Sequence, residues 1–153
     1  VGFAPEIPAV ISADGSMSRN VSRVVVWDVA GAVRAEMNYG NFVTALTYAP
    51  ELHAVITGDG HFAQENPSGQ VILWNVDSLE QHRRLSCRGP VTSVAWDSAR
   101  GLILSADRAK CLRTWKAESG EMLSQLEMDS NAIPWCLAAP AYEASDFYAY
   151  ALC

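Results

Sequence analysis

Basic residues are scarce in this chain. There are 11 Lys and Arg against 17 Asp and Glu, for a formal net charge of −6. That balance argues against a nucleic-acid backbone or an anionic membrane as the main partner, because both recruit clusters of Lys and Arg. Long apolar runs are absent, and none approaches the roughly 18 residues needed to span a bilayer. The N-terminal VGFAPEIPAV has no basic start and no apolar core, so it does not read as a signal peptide. It also has no initiating methionine, and an excerpt or processed piece of a longer chain is expected. The four cysteines, Cys87, Cys111, Cys136 and Cys153, show no CxxC spacing. Neither a metal site nor a disulfide framework is expected, only reduced thiols in an intracellular, cytoplasmic protein. Catalytic patterns are missing as well. His53, His61 and His82 fit neither HxH nor HExxH, and there is no GxSxG elbow, phosphate loop or dinucleotide fingerprint. No catalytic residue and no cofactor is expected.

What the chain does have is repetition. APEIPAVISADG (residues 4–15) and APELHAVITGDG (residues 49–60) match at eight of twelve positions. In both, an apolar β-branched run is followed by turn residues. GLILSADR, from Gly101, is a weaker third copy. Tryptophans keep the same period: VVVWDV holds Trp27, VILWNV holds Trp74 and CLRTWK holds Trp115. FVTALTYAP, PVTSVAWDS and AIPWCLAAP lead the successive units. Each unit therefore predicts four short strands, and no stretch sustains a helical apolar period; SLEQHRRLS comes nearest.

Four strands per period of about 40–45 residues, with Trp-Asp closing the third, resembles the WD40 repeat β-propeller family over the whole chain. Trp27-Asp28 is the named dipeptide, while Trp74-Asn75 and Trp115-Lys116 are degraded forms. The resemblance implies an all-β propeller segment of four-stranded antiparallel blades. The expected blades are residues 1–37 (lacking most of the innermost strand), 42–87, 90–127 and an incomplete 132–153. Trp27, Asp28, Trp74 and Trp115 are then structural. A ring takes four to eight blades, so the remaining blades are expected in the same or another chain. The family's Gly-His pair is absent from the connections NYGN, CRGP and DSNA. The Trp–Ser/Thr–His–Asp hydrogen-bond network is accordingly not expected. Asp14, Asp59 and Asp107 read as turn caps.

With the strands of a blade lettered a to d from the centre outwards, the b–c and d–a connections share one rim. Residues 13–23 and 59–70 are polar and longer than usual for b–c connections, and they read as extended docking loops. Arg19, Arg23, His61, Phe62, Asn66, Arg88 and Arg108 are the candidate partner-binding residues. The four arginines suit an acidic protein segment, a phosphopeptide included. The expectation is a non-catalytic scaffold for proteins or peptides. The alternatives are a propeller that regulates or supports a larger enzyme, and a ciliary or microtubule-associated member of the family.

Overall fold

The computed structural model describes residues 2–4, 9–16, 18–19, 21–60, 67–129, 133–138 and 149–152. The chain is all-β. The first sheet joins β1 (Gly2–Ala4), β2 (Ala9–Ser16), β3 (Val21–Asp28) and β4 (Val33–Tyr39). The second joins β5 (Phe42–Ala49), β6 (Ala54–Gly60), β7 (Gly69–Asn75) and β8 (Gln81–Cys87). The third joins β9 (Val91–Asp97), β10 (Leu102–Asp107), β11 (Cys111–Lys116) and β12 (Met122–Glu127). β13 (Pro134–Ala138) and β14 (Ala149–Leu152) form a two-stranded sheet. Every pairing is antiparallel and follows chain order. Among the described residues the one helical element is a single 3-10 turn, Pro50–Leu52. From Gln81 onwards the near-helical stretch SLEQHRRLS is strand β8 itself.

The sheets repeat one another in detail. Pairing between the third and fourth strands slips just before the indole in all three, at Val26/Trp27, Leu73/Trp74 and Thr114/Trp115. The extra residue lies in the outer strand each time, Arg34, His82 and Leu123, and a bulge there bends that strand locally. The residue after each tryptophan then opens the turn. Asp28 Oδ1 accepts from the amides of Ala30 and Ala32, at 2.9 and 2.8 Å. Asn75 Oδ1 accepts from the amides of Asp77 and Ser78, each at 3.0 Å. In the third sheet Lys116 offers no such oxygen. There Gly120, at φ +77°, makes the turn and donates its amide to the Lys116 carbonyl at 2.8 Å. Such a left-handed φ suits glycine.

Three apolar layers hold the sheets together. Ile11, Val24 and Val26 of the first sheet meet Tyr48, Val55, Ile72 and Trp74 of the second. Ile56, Val71, Leu73 and Leu85 on the second sheet's other face meet Val91, Val94, Ile103 and Trp115. Ala95, Leu104 and Leu112 on the third sheet's far face meet Leu137 of β13. The first strand of each sheet lies against the sheet before it: β5 against the first sheet, β9 against the second, β13 against the third. Alternation along each strand is what lets one sheet serve two layers.

One expectation changes here. The polar stretch 13–23 is mostly strand, because β2 and β3 stay paired as far as Ser16 and Val21. Gly15 permits this. It pairs with Ser22, and a Cβ there would collide with the Val21 carbonyl oxygen. The central part of the second predicted loop, residues 61–66, lies outside the described residues.

Candidate functional site

The up-and-down topology brings the β2–β3, β4–β5, β6–β7, β8–β9 and β10–β11 connections to one rim. Arg19 lies in the first, Arg23 at the start of β3, Arg88 in the fourth connection and Arg108 in the fifth. His61, Phe62 and Asn66 lie outside the described residues.

At this rim a cleft of ≈ 770 Å³ opens between the β2–β3 hairpin and the end of β4, with Ser16, Arg19, Val21, Arg23 and Tyr39 in its lining. Arg23 is committed within the protein. It pairs with Asp14 at 2.9 Å and reaches Glu36 at 3.8 Å. The hydrogen bond to Asp14 raises its pKa further. The backbone amide of Arg19 donates to the Ser16 carbonyl at 3.2 Å. Among the described residues no carboxylate pairs with the Arg19 guanidinium, and the neighbouring Val21 is 43% exposed. The cleft thus offers a cation with no carboxylate partner among the described residues, beside an exposed apolar side chain.

The three repeat aspartates occupy equivalent rim positions, each with different donors. Asp14 is exposed and takes Arg23. Asp59 is buried; it accepts from the Tyr39 hydroxyl, from Asn41 Nδ2 at 3.0 Å and from the Gln70 amide at 2.8 Å. Burial, then the bond to Asp59, pushes the Tyr39 phenol above its ordinary pKa. Asp107 is 0% exposed and pairs with Arg113, itself 4% exposed, at 2.5 Å. Its other contacts are the amides of Cys111 at 3.1 Å and Gly89 at 3.4 Å. Arg113 Nε also donates to Gln125 at 2.9 Å, Gln125 donates to Glu127 at 3.2 Å, and Arg88 pairs with Glu127. A polar chain therefore runs from the buried Asp107 to the exposed Arg88.

Two expectations are refined by this geometry. An indole-to-hydroxyl hydrogen bond joins the third strand to the second in each of the three four-stranded sheets. Trp27 donates to Ser12 at 2.9 Å, Trp74 to Thr57 at 2.8 Å and Trp115 to Ser105 at 2.9 Å. Asp59 is held by Tyr39 and Asn41, and Asp107 by Arg113, positions at which the resemblance implies a histidine. As for the turn caps, Asp59 and Asp107 do hold backbone amides, whereas Asp14 binds a side chain. Sequence reasoning missed Tyr39, Asn41 and Arg113. The signal for Arg113 was strand parity, which places it on the same side of β11 as Cys111 and Trp115.

Cys87 is buried beside Ser105, and burial pushes its thiol up to about 11 from an ordinary 9.0. A raised folded-state pKa contributes stability that is full below pH 9 and is lost as pH rises towards 11. Native alkylation with iodoacetamide at pH 8 should therefore modify exposed Cys136 and spare buried Cys87 and Cys111. Peptide mass mapping reads the outcome, and equal labelling of Cys87 and Cys136 would contradict this burial.

Among the described residues no group of three or more His, Cys, Asp and Glu could hold a metal ion. Nor, among them, is any helix long and apolar enough to cross a membrane. No protein-family model matches the chain, and no curated protein sequence matches it.

Proposed function

We propose that the chain is an arc of a WD40-like β-propeller, acting as a non-catalytic scaffold that docks an acidic protein segment on its hairpin rim. The cleft beside Arg19 carries the docking reading. A partner carboxylate would meet an unpaired guanidinium there, and an adjacent apolar side chain would cover Val21. The blade reading draws support from the repeated strand order, the indole–hydroxyl pairs and the register slip against the outer strand at each tryptophan. Free thiols at Cys87, Cys111 and Cys136 suit an intracellular setting.

The test is calorimetric titration with a glutamate-rich peptide carrying one leucine. Arg19→Glu should weaken binding by about tenfold or more, since reversing an interface charge adds repulsion to the lost attraction. The interaction should also weaken with salt. Lys116→Glu, at the opposite rim, should leave the affinity unchanged. Equal binding by wild type and Arg19→Glu would end the rim proposal.

A further inference from the structure

The rim opposite the hairpin rim carries the other sign of charge. Its described connections, residues 29–32, 50–53, 76–80, 98–101 and 117–121, hold the exposed carboxylates Glu51, Asp77, Glu80, Glu118 and Glu121. Against them stand His53, beside Asp77 at 2.8 Å, and Arg100, paired with the buried Asp97 at 3.1 Å. Among the described residues no cation pairs with Glu80, Glu118 or Glu121.

On this rim a second cleft, of ≈ 210 Å³, opens between the second and third sheets. Leu52, Ala54, Leu73 and Ala117 give it apolar walls, and His82, Arg83 and Glu118 border it. Local features of the sequence build it. The 3-10 turn begun by Pro50 leaves Leu52 39% exposed. His82 is the extra residue of the β8 bulge, which bends the strand beside Trp74. Ala117 is buried and offers only a methyl group to the gap. Arg83 then pins the wall. Its Nη1 donates to the Ser119 carbonyl and its Nη2 to the Glu118 carbonyl, each at 2.7 Å. Its stem passes Gly120, where a Cβ would stand 3.1 Å from the arginine Cδ. The guanidinium is thus held by the turn backbone and leaves the Glu118 carboxylate without a cation.

We infer that this cleft docks a basic protein segment through one phenylalanine. A dry cavity of about 150 Å³ accepts a benzene ring, so there is room for a phenyl side chain between Leu52, Leu73 and Ala117. A lysine or arginine beside that phenylalanine would meet Glu118, and Glu80 and Glu121 extend the same charge along the rim. Complementary charge selects such a segment over an acidic one. A wall already tied down by Arg83 loses little freedom when the segment binds. This surface shares no residue with the hairpin rim, so either proposal can fail alone.

The probe is a lysine-rich peptide carrying one phenylalanine, titrated calorimetrically into the full 153-residue chain. Glu118→Lys should weaken binding by about tenfold or more, through repulsion added to lost attraction. Glu118→Gln, which keeps the size of the side chain, should weaken it by a smaller factor. Leu52→Ser should weaken it as well. Replacing the peptide's phenylalanine by alanine should cost about tenfold or more, as for an aromatic anchor. Arg19→Glu, on the hairpin rim, should have no effect. Absence of binding at millimolar peptide would overturn the inference, as would equal binding by wild type and Glu118→Lys. Equal binding of the two peptides would overturn it too, by reducing the contact to charge alone. Self-association of the chain without peptide, abolished by Leu52→Ser, would also overturn it and would identify a second copy as the occupant.

Discussion

Trp115→Ala should destabilise the chain by about 3–5 kcal/mol, the range for truncating a buried aromatic side chain. Trp115 is nearly inaccessible, and three effects converge on its loss. The layer between the second and third sheets would contain a cavity against Val71, Leu85 and Ile103. Ser105 Oγ would lose the donor it now has at 2.9 Å. Leu85 would also lose its cover. Urea unfolding followed by tryptophan fluorescence measures the change. Trp115→Phe separates the contributions: it keeps most of the apolar volume, omits the N–H, and should recover most of the loss. A loss below about 1 kcal/mol for Trp115→Ala would place the indole outside the core.

Arg113→Met should cost a comparable amount, about 3–5 kcal/mol, because it strands a carboxylate that water does not reach. Asp107 would keep the amides of Cys111 and Gly89 but lose the only cation paired with it among the described residues. Adding Asp107→Asn should restore part of the stability. Asparagine keeps an oxygen for the Cys111 amide and removes the charge, and a buried pair replaced as a pair is often close to neutral. The signature is the sign of the coupling: the double variant should be more stable than Arg113→Met alone. If the single and double variants unfold together, the pair is hydrated and contributes little. Methionine here preserves the stem that packs along β11, so lost volume does not mimic lost charge.

The strands were legible because the repeat carries two independent signals, alternation and a tryptophan at each third strand. Both arise from one physical demand: a sheet buried on two faces needs apolar residues at every second position on each side. The β2–β3 hairpin escaped this logic. Beyond Ala13 the described residues of β2 and the turn are exposed or half-exposed, and the one buried position of the β3 arm before Val24 is the polar Ser22, so no apolar alternation marks the pairing and a paired strand reads as a polar loop. The rim chemistry was legible in position and not in partners. Asp59 finds Tyr39 and Asn41 across a sheet boundary, a relationship that no local spacing encodes. Arg113 was hidden for a different reason. A cation in a strand is ordinarily solvated, and only its parity with Trp115 reveals that it points inwards. The indole–hydroxyl pairs rest on residues of two adjacent strands and need no histidine to form.

The series arrangement of the sheets has a mechanical side. Among the described residues the apolar layers join each sheet only to its neighbours in the chain, so tension applied at the two ends passes through the sheets in turn. Extension then comes in instalments. Each sheet releases about 15 nm of slack, the stretched length of a repeat of about 40–45 residues at about 3.5 Å per residue. Among the described residues the first sheet is held by one apolar layer and the third by two, so the first is the weak link in that series.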